Sequence, residues 1–369
     1  MNPKKGSGFA QIRPVPYVGL SRRSLLASGT AAALALGLPP LAYAVPAALD
    51  KSIDVLDRPA PTARNAAAAP MLRVARCGQG LVSVGERGVV LVSYDNGHRW
   101  QQARVPVSVT LTGVQFTSEK RGFAIGHSGV VLRTDDAGLT WQRMLDGRQI
   151  PALLSQPEAA RQASLDGPDK PWLALHFIDD QSGLVVGAFG MALETSDGGQ
   201  TWHSLSDRIP NPRSLHLYAV HRNGGRVWIA GEQGFYGVSS DGGRSFSMLP
   251  TPYRGSFFAI SQLDDGQILL GGLRGTLLRH GRDQQFHTVA PASTRGVAQL
   301  IALPSQAIAL LDQSGRIFTA NVANLNFKPI SAQPTRTWLA ITQATDGTFV
   351  GASFDGVSRL QLTALAPKT

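Results

Sequence analysis

Gly126-His-Ser-Gly129-Val-Val-Leu-Arg-Thr-Asp-Asp-Ala-Gly-Leu-Thr-Trp141 holds both local signals on which the fold rests. The first is a tight turn with a glycine at each end. The second places an aspartate and a glycine just ahead of a tryptophan. Between them, Val130-Val-Leu-Arg-Thr134 reads as a short strand. Upstream, Thr112-Gly-Val-Gln-Phe-Thr117 and Gly122-Phe-Ala-Ile-Gly126 read as two more, and Trp141-Gln-Arg-Met144 as a fourth. Four short strands joined by three short turns make an antiparallel meander.

The turn recurs along the chain. It reads Gly85-Glu-Arg-Gly88, Gly126-His-Ser-Gly129, Gly187-Ala-Phe-Gly190, Gly231-Glu-Gln-Gly234, Gly272-Leu-Arg-Gly275, Asp312-Gln-Ser-Gly315 and Ser353-Phe-Asp-Gly356. The first residues are spaced 41, 61, 44, 41, 40 and 41. A period near 40 carrying a four-stranded meander predicts an all-β fold, a seven-bladed β-propeller with one blade per repeat. The repeats occupy residues 71–366, which leaves no room there for a second domain.

The second motif recurs in phase as Ser93-Tyr-Asp95-Asn-Gly97-His-Arg-Trp100, Thr134-Asp-Asp136-Ala-Gly138-Leu-Thr-Trp141, Thr195-Ser-Asp197-Gly-Gly199-Gln-Thr-Trp202 and Ser239-Ser-Asp241-Gly-Gly243-Arg-Ser-Phe246. It resembles the Asp-box, and Arg99 breaks the pattern in the first copy. The residue types suit a hairpin: the aspartate bonds the turn's amides, the glycine takes positive φ, and the aromatic buries between blades. The role expected of these residues is structural. The last three repeats lack the motif, although Phe286 and Phe327 keep the aromatic.

The ends carry different signals. Residues 1–44 hold Lys4, Lys5, Arg13, Arg22 and Arg23 with no acid, then an Ala-rich apolar run, then Ala42-Tyr43-Ala44. This reads as a signal peptide cleaved after Ala44, with Ser21-Arg22-Arg23-Ser24-Leu25-Leu26 resembling a twin-arginine signal. The expected localisation is periplasmic. Residues 45–70 read as a closing strand, Ser52-Ile-Asp-Val-Leu56, followed by a Pro- and Ala-rich linker. That strand would complete the last blade, which runs short of a fourth strand. Removing the five signal bases takes the net charge from +10 to +5. No Lys/Arg run marks a nucleic-acid partner, and the apolar run is too short and too broken for a membrane span. Cys77 is the sole cysteine, so no internal disulfide can form and the fold rests on packing and ring closure.

With its seven repeats and Asp-boxes, the chain resembles the photosystem II stability and assembly factors over about residues 50–365. The resemblance implies a non-enzymatic propeller that binds a newly made membrane protein, with an arginine-rich patch involved. No cofactor is implied, and a monomer is expected.

Arg213, Arg254, Arg295 and Arg336 are spaced 41 apart, each just before the first strand of its blade, with Lys170 near the same phase. In a four-stranded blade this position shares a face with the turn between the second and third strands. Those turns add Arg87 and Arg274, with Arg316 beside its own. The Asp-boxes belong to the opposite face. A one-faced arginine set favours carboxylate or phosphate partners, here an acidic segment of a membrane or exported protein. The alternative is that each arginine braces backbone carbonyls of the next blade. The longest gap marks an insertion at about residues 147–171 on the same face, where Leu153 to Ser164 can form a short helix.

Asp-boxes also occur in sialidases, so a glycoside hydrolase or carbohydrate-binding module is the competing reading. Tyrosine is scarce, and Tyr94 sits in an Asp-box on the wrong face. Glu86, Glu232 and Asp355 come from separate blades, with nothing to mark a catalytic pair. The histidines His127, His216, His221, His280 and His287 show no metal-ligand spacing.

Overall fold

The computed structural model describes residues 54–330 and 336–360. The proposed signal and its cleavage site, and Ser52 and Ile53 of the proposed closing strand, lie outside the described residues.

Alternating apolar residues fold each repeat into an antiparallel sheet whose strands follow one another in sequence order. In blade one these are β1 (Met71–Cys77), β2 (Gly80–Gly85), β3 (Val90–Ser93) and β4 (Gln101–Gln102). Six blades have four strands. The seventh shows three among the described residues: Trp338–Gln343, Phe349–Ser353 and Gly356–Arg359. The innermost strand of each blade slips register between its first and third residues (Met71 and Arg73 in blade one).

The core is not one mass but a wedge at each blade junction. Period-two alternation sends successive residues of a strand to opposite neighbours. Val82 and Val84 pack against Ala124 and Leu132 of blade two. Leu81 and Leu91 pack against Val350 and Ala352 of blade seven. The same arrangement links blades two and three, three and four, four and five, five and six, and six and seven.

The turn glycines position the blades. The last glycine of each turn, from Gly88 to Gly356, lies against the segment leading into the next blade, and a side chain there would collide with it. Gly88 meets Val107, Gly234 meets Tyr253, Gly275 meets Ser293, and Gly356 of the last blade meets Ala67 ahead of the first. The ring therefore closes by the contact used at every other junction. At this seam Arg359 Nη1 also donates to Asn96 O (2.8 Å), and Thr345 Oγ1 to Asn96 Oδ1 (2.8 Å).

The expected closing strand is corrected in its described part. Val55 and Leu56 form a turn rather than a strand on blade seven. Leu56, 1% exposed, fills a notch between blades one and two. Val55 O accepts the Ser108 amide (2.8 Å), and Asp57 pairs with Arg143 and Arg148 of blade two. An apolar leucine followed by an acid matches a hydrophobic notch edged by two arginines. From there the linker crosses blade one, where Gln102 bonds Ala63 N and Pro61 O, and reaches the seam at Ala66 and Ala69.

Cys77 is buried and its Sγ lies 3.1 Å from Glu119 O; burial pushes the thiol up to about 11, which disfavours the thiolate.

Candidate functional site

The two faces of the ring are built from different turns. On one face lie the four Asp-boxes. In the second, Thr134 Oγ1 donates to Asp136 Oδ1 (2.8 Å) and accepts the Gly138 amide (3.0 Å), while Thr140 Oγ1 donates to Asp136 Oδ2 (2.6 Å). Trp141 Nε1 reaches back to Gly138 O (2.9 Å), and its ring meets Phe116 edge-on. The boxes around Asp197 and Asp241 repeat this, with Trp202 and Phe246 buried. Ser245 hydroxyl and amide, with Ser239 hydroxyl, hold Asp241 far below the ordinary carboxylate range. In the first box Arg99 supplies only its amide to Asp95 (2.8 Å), and Gly97 and Trp100 keep their places. All four boxes are thus hydrogen-bonded hairpins, with Gly199 and Gly243 at positive φ.

Several arginines on the Asp-box face brace neighbouring blades, whereas Arg76 and Arg99 are exposed there without a side-chain partner among the described residues and Arg244 bonds only its own box. Arg133 Nη1 donates to Gly198 O (3.0 Å), Arg121 Nη1 to Asp180 O (3.4 Å), and Arg208 Nη1 to Gly243 O (3.4 Å) and Glu194 Oε1 (2.7 Å). Arg359 does the same at the seam.

The other face carries the in-phase set. Arg254, Arg295 and Arg336 are exposed, and among the described residues their guanidinium groups have no hydrogen-bond or ionic partner. Arg213 Nη1 donates to Gln233 Oε1 (2.8 Å) and not to a backbone carbonyl. Arg87 and Arg274 sit exposed at the third residue of their turns, both at positive φ. Arg213 and Arg254 flank a groove of about 390 Å³ floored by Leu215 and Phe235. Two residues of the set are engaged elsewhere. Arg316 is half-buried with its guanidinium 5.1 Å from the Phe318 ring centre, and Lys170 Nζ is 2.6 Å from Asp166.

The insertion forms α1 (Ile150–Leu153) and α2 (Pro157–Asp166) on this face. With the turn of blade three they enclose a cavity of about 440 Å³, lined by Ile150, Leu154, Ala163, Phe189 and Met191 and edged by Lys170. Phe189 is 56% exposed, holds φ 56°, and meets His216 edge-on; its amide donates to His216 Nδ1 (2.9 Å). Phe354 and Leu273 are exposed in equivalent turns. Sequence reasoning passed over these apolar residues. The signal was present, because Phe189 occupies the turn position held by Arg87 and Arg274.

The carboxylates Glu86, Glu232 and Asp355 are not gathered. Glu232 accepts the His216 amide (3.0 Å) and belongs to its own turn. Among the described residues no group of three His, Cys, Asp or Glu is placed to hold a metal, and no helix is long and apolar enough to cross a membrane.

Comparison with known proteins agrees with this architecture. A family model described as "Photosynthesis system II assembly factor YCF48" matches residues 92–156 and 161–279. The photosystem II assembly lipoprotein Ycf48 of Synechococcus sp. (strain CC9902) is 33% identical over 101 residues, 27% of this chain and 29% of that protein. The photosystem II assembly protein Ycf48 of Synechococcus sp. (strain JA-3-3Ab) is 25% identical over 180 residues, 41% of this chain and 53% of that protein. The matches thus span about half or less of those relatives' own lengths. Among solved structures, YCF48 bound to D1 peptide superposes with a TM-score of 0.59 at 13% identity, covering 79% of this chain and 92% of that one. YCF48 from Cyanidioschyzon merolae gives 0.57 at 16%, covering 81% and 96%. At these identities the two structures speak for the fold alone. With the in-phase Asp-boxes and the seven-bladed ring, the sequence matches show that this chain belongs to the family of photosystem II assembly factor-like propellers.

Proposed function

We propose that this protein is an exported, non-catalytic assembly scaffold that docks an acidic segment of a membrane or exported protein on its arginine face. One observation carries the reading: Arg254, Arg295, Arg336, Arg87 and Arg274 recur at two fixed positions of the repeat on one face, exposed and with no partner among the described residues. Exposed guanidinium groups at repeated positions match carboxylates spaced along an extended chain. The groove at Arg213 and Arg254, and the apolar cavity beside Phe189, offer places for side chains of such a segment.

The partner is written here as a class, an acidic polypeptide presented outside the cytoplasm. The test uses the full chain and an acidic peptide with its amide-substituted counterpart. Wild type should bind the acidic peptide alone, more weakly as salt rises. Arg254→Glu with Arg295→Glu should abolish binding and leave the melting temperature in place. Equal binding by that folded double variant, or turnover of fluorogenic glycosides by the wild type, overturns the reading.

A further inference from the structure

The third residue of the innermost strand is small in five blades: Gly113, Ala174, Ala219, Ala259 and Ala340. Blade six has Gln299, whose Oε1 accepts the Ile341 amide (2.9 Å) and so links blades six and seven. Blade one has Arg73. It is the one residue of β1 lining an axial cavity of about 210 Å³, otherwise walled by innermost strands of blades two to six. It is also the only charged residue in that lining, which includes Leu175, Tyr218, Phe258 and Leu300. Its side chain makes one hydrogen bond, Nη1 to Leu72 O (2.9 Å), and no acid pairs with it among the described residues. The apolar surroundings pull its pKa below the ordinary arginine value.

A half-buried guanidinium on an open channel, with one carbonyl partner and no acid, keeps donors free for a ligand that enters the channel. A small side chain is what five of the other six blades put there, so packing does not call for an arginine. The guanidinium fork matches a carboxylate, and the surrounding Tyr218, Phe258 and Leu300 match a short apolar body. We infer that the axial channel is a carboxylate-binding site, with Arg73 clamping the acid group and the innermost strands enclosing an aliphatic tail. Two sources share this chemistry, a free short-chain carboxylic acid and the C-terminal carboxylate of a polypeptide. The inference does not rest on the docking role of the exposed arginines, because Arg73 is not among them.

The test titrates the full chain with butyrate, butyramide, and acetyl-alanyl-valine in free-acid and amidated forms, read by calorimetry and by amide shifts of Thr112, Ala174 and Ala219. An acid should bind and its amide should not. Binding of butyrate alone assigns a free acid, and binding of the peptide acid alone assigns a chain terminus. Arg73→Met should weaken the bound acid by about tenfold or more and, without ligand, raise the melting temperature. Arg73→Lys should retain part of the affinity. Equal binding of acid and amide, no binding of either acid, or undiminished binding by Arg73→Met overturns the inference. Should Arg73→Met fail to fold, the acid-against-amide comparison on wild type decides alone.

Discussion

Arginines that brace blades lie on one face of this ring, and the in-phase exposed set lies on the other, although Arg76 and Arg99 are exposed on the bracing face too. On the Asp-box face, Arg133, Arg208 and Arg359 reach a carbonyl of the adjacent blade, and all three also meet a carboxylate. On the other face, Arg254 and Arg295 stand in solvent with no partner among the described residues. The residue type is constant and the partner differs, so its count says nothing about function until each guanidinium is traced to what it touches. The difference bears on stability: the bracing arginines should tolerate substitution poorly, the exposed in-phase set well.

The largest effect expected from breaking this contrast lies in the hairpins. Trp141 is 4% exposed and fills the wedge between blades one and two. Trp141→Ala should cost about 3–5 kcal/mol, read as a marked fall in the denaturant midpoint. Phe354→Ala, on the other face and largely exposed, should leave the midpoint nearly in place. Equal losses would show that the faces do not differ in structural weight.

A smaller effect tests the arginines directly. Arg359→Ala removes bonds to Asn96 O, Asp346 and Thr348 at the seam. Its side chain is partly exposed, so the loss should be about 1–2 kcal/mol. Arg254→Ala should stay within about 0.5 kcal/mol of wild type. Thermal melts of the two single variants compare them, and a ranking in the reverse order contradicts the division of labour.

The smallest effect concerns an arginine-rich cluster that is already neutralised. Bonds from Arg148, then Arg143, lower Asp57 from 3.8 to about 2. Because the folded value lies below the unfolded one, this contribution is present above about pH 4 and is lost as pH falls towards 2. Acid unfolding of Asp57→Asn should lack that component. An unchanged acid limb would mean that the segment around Leu56 is held by its apolar contact alone.

Much of this was legible in the chain because its signals are local. An Asp-box carries its own hydrogen-bond partners within a few residues, so Asp136 and Thr140 declare the hairpin without the rest of the fold. The turn glycines are nearly as clear, since each answers to the same crowding in every blade. The segment around Leu56 was misread for the opposite reason. Its alternation suits a strand, but a notch made by blades one and two decides where Leu56 goes. Arginine partners were equally hidden: Arg316 and Arg274 both lie in or beside a turn, yet only Arg316 stacks on a ring, Phe318. Arg73 could have been found by comparing phases, since a charge stands where five other repeats keep glycine or alanine.

The seam between blades seven and one is chemically ordinary and kinetically singular. Side-chain bonds across other junctions join residues a few tens of positions apart, 35 from Arg208 to Gly243 and 65 from Arg133 to Gly198. The bond from Arg359 to Asn96 spans 263. Bringing such distant residues together carries the largest loop-closure entropy in the molecule, and long sequence separation slows folding. The nascent chain should thus accumulate as an open arc of packed blades before the last wedge forms. A circular permutant opened between blades three and four would keep every wedge, make the old seam a local contact, and move the slow step to the new break.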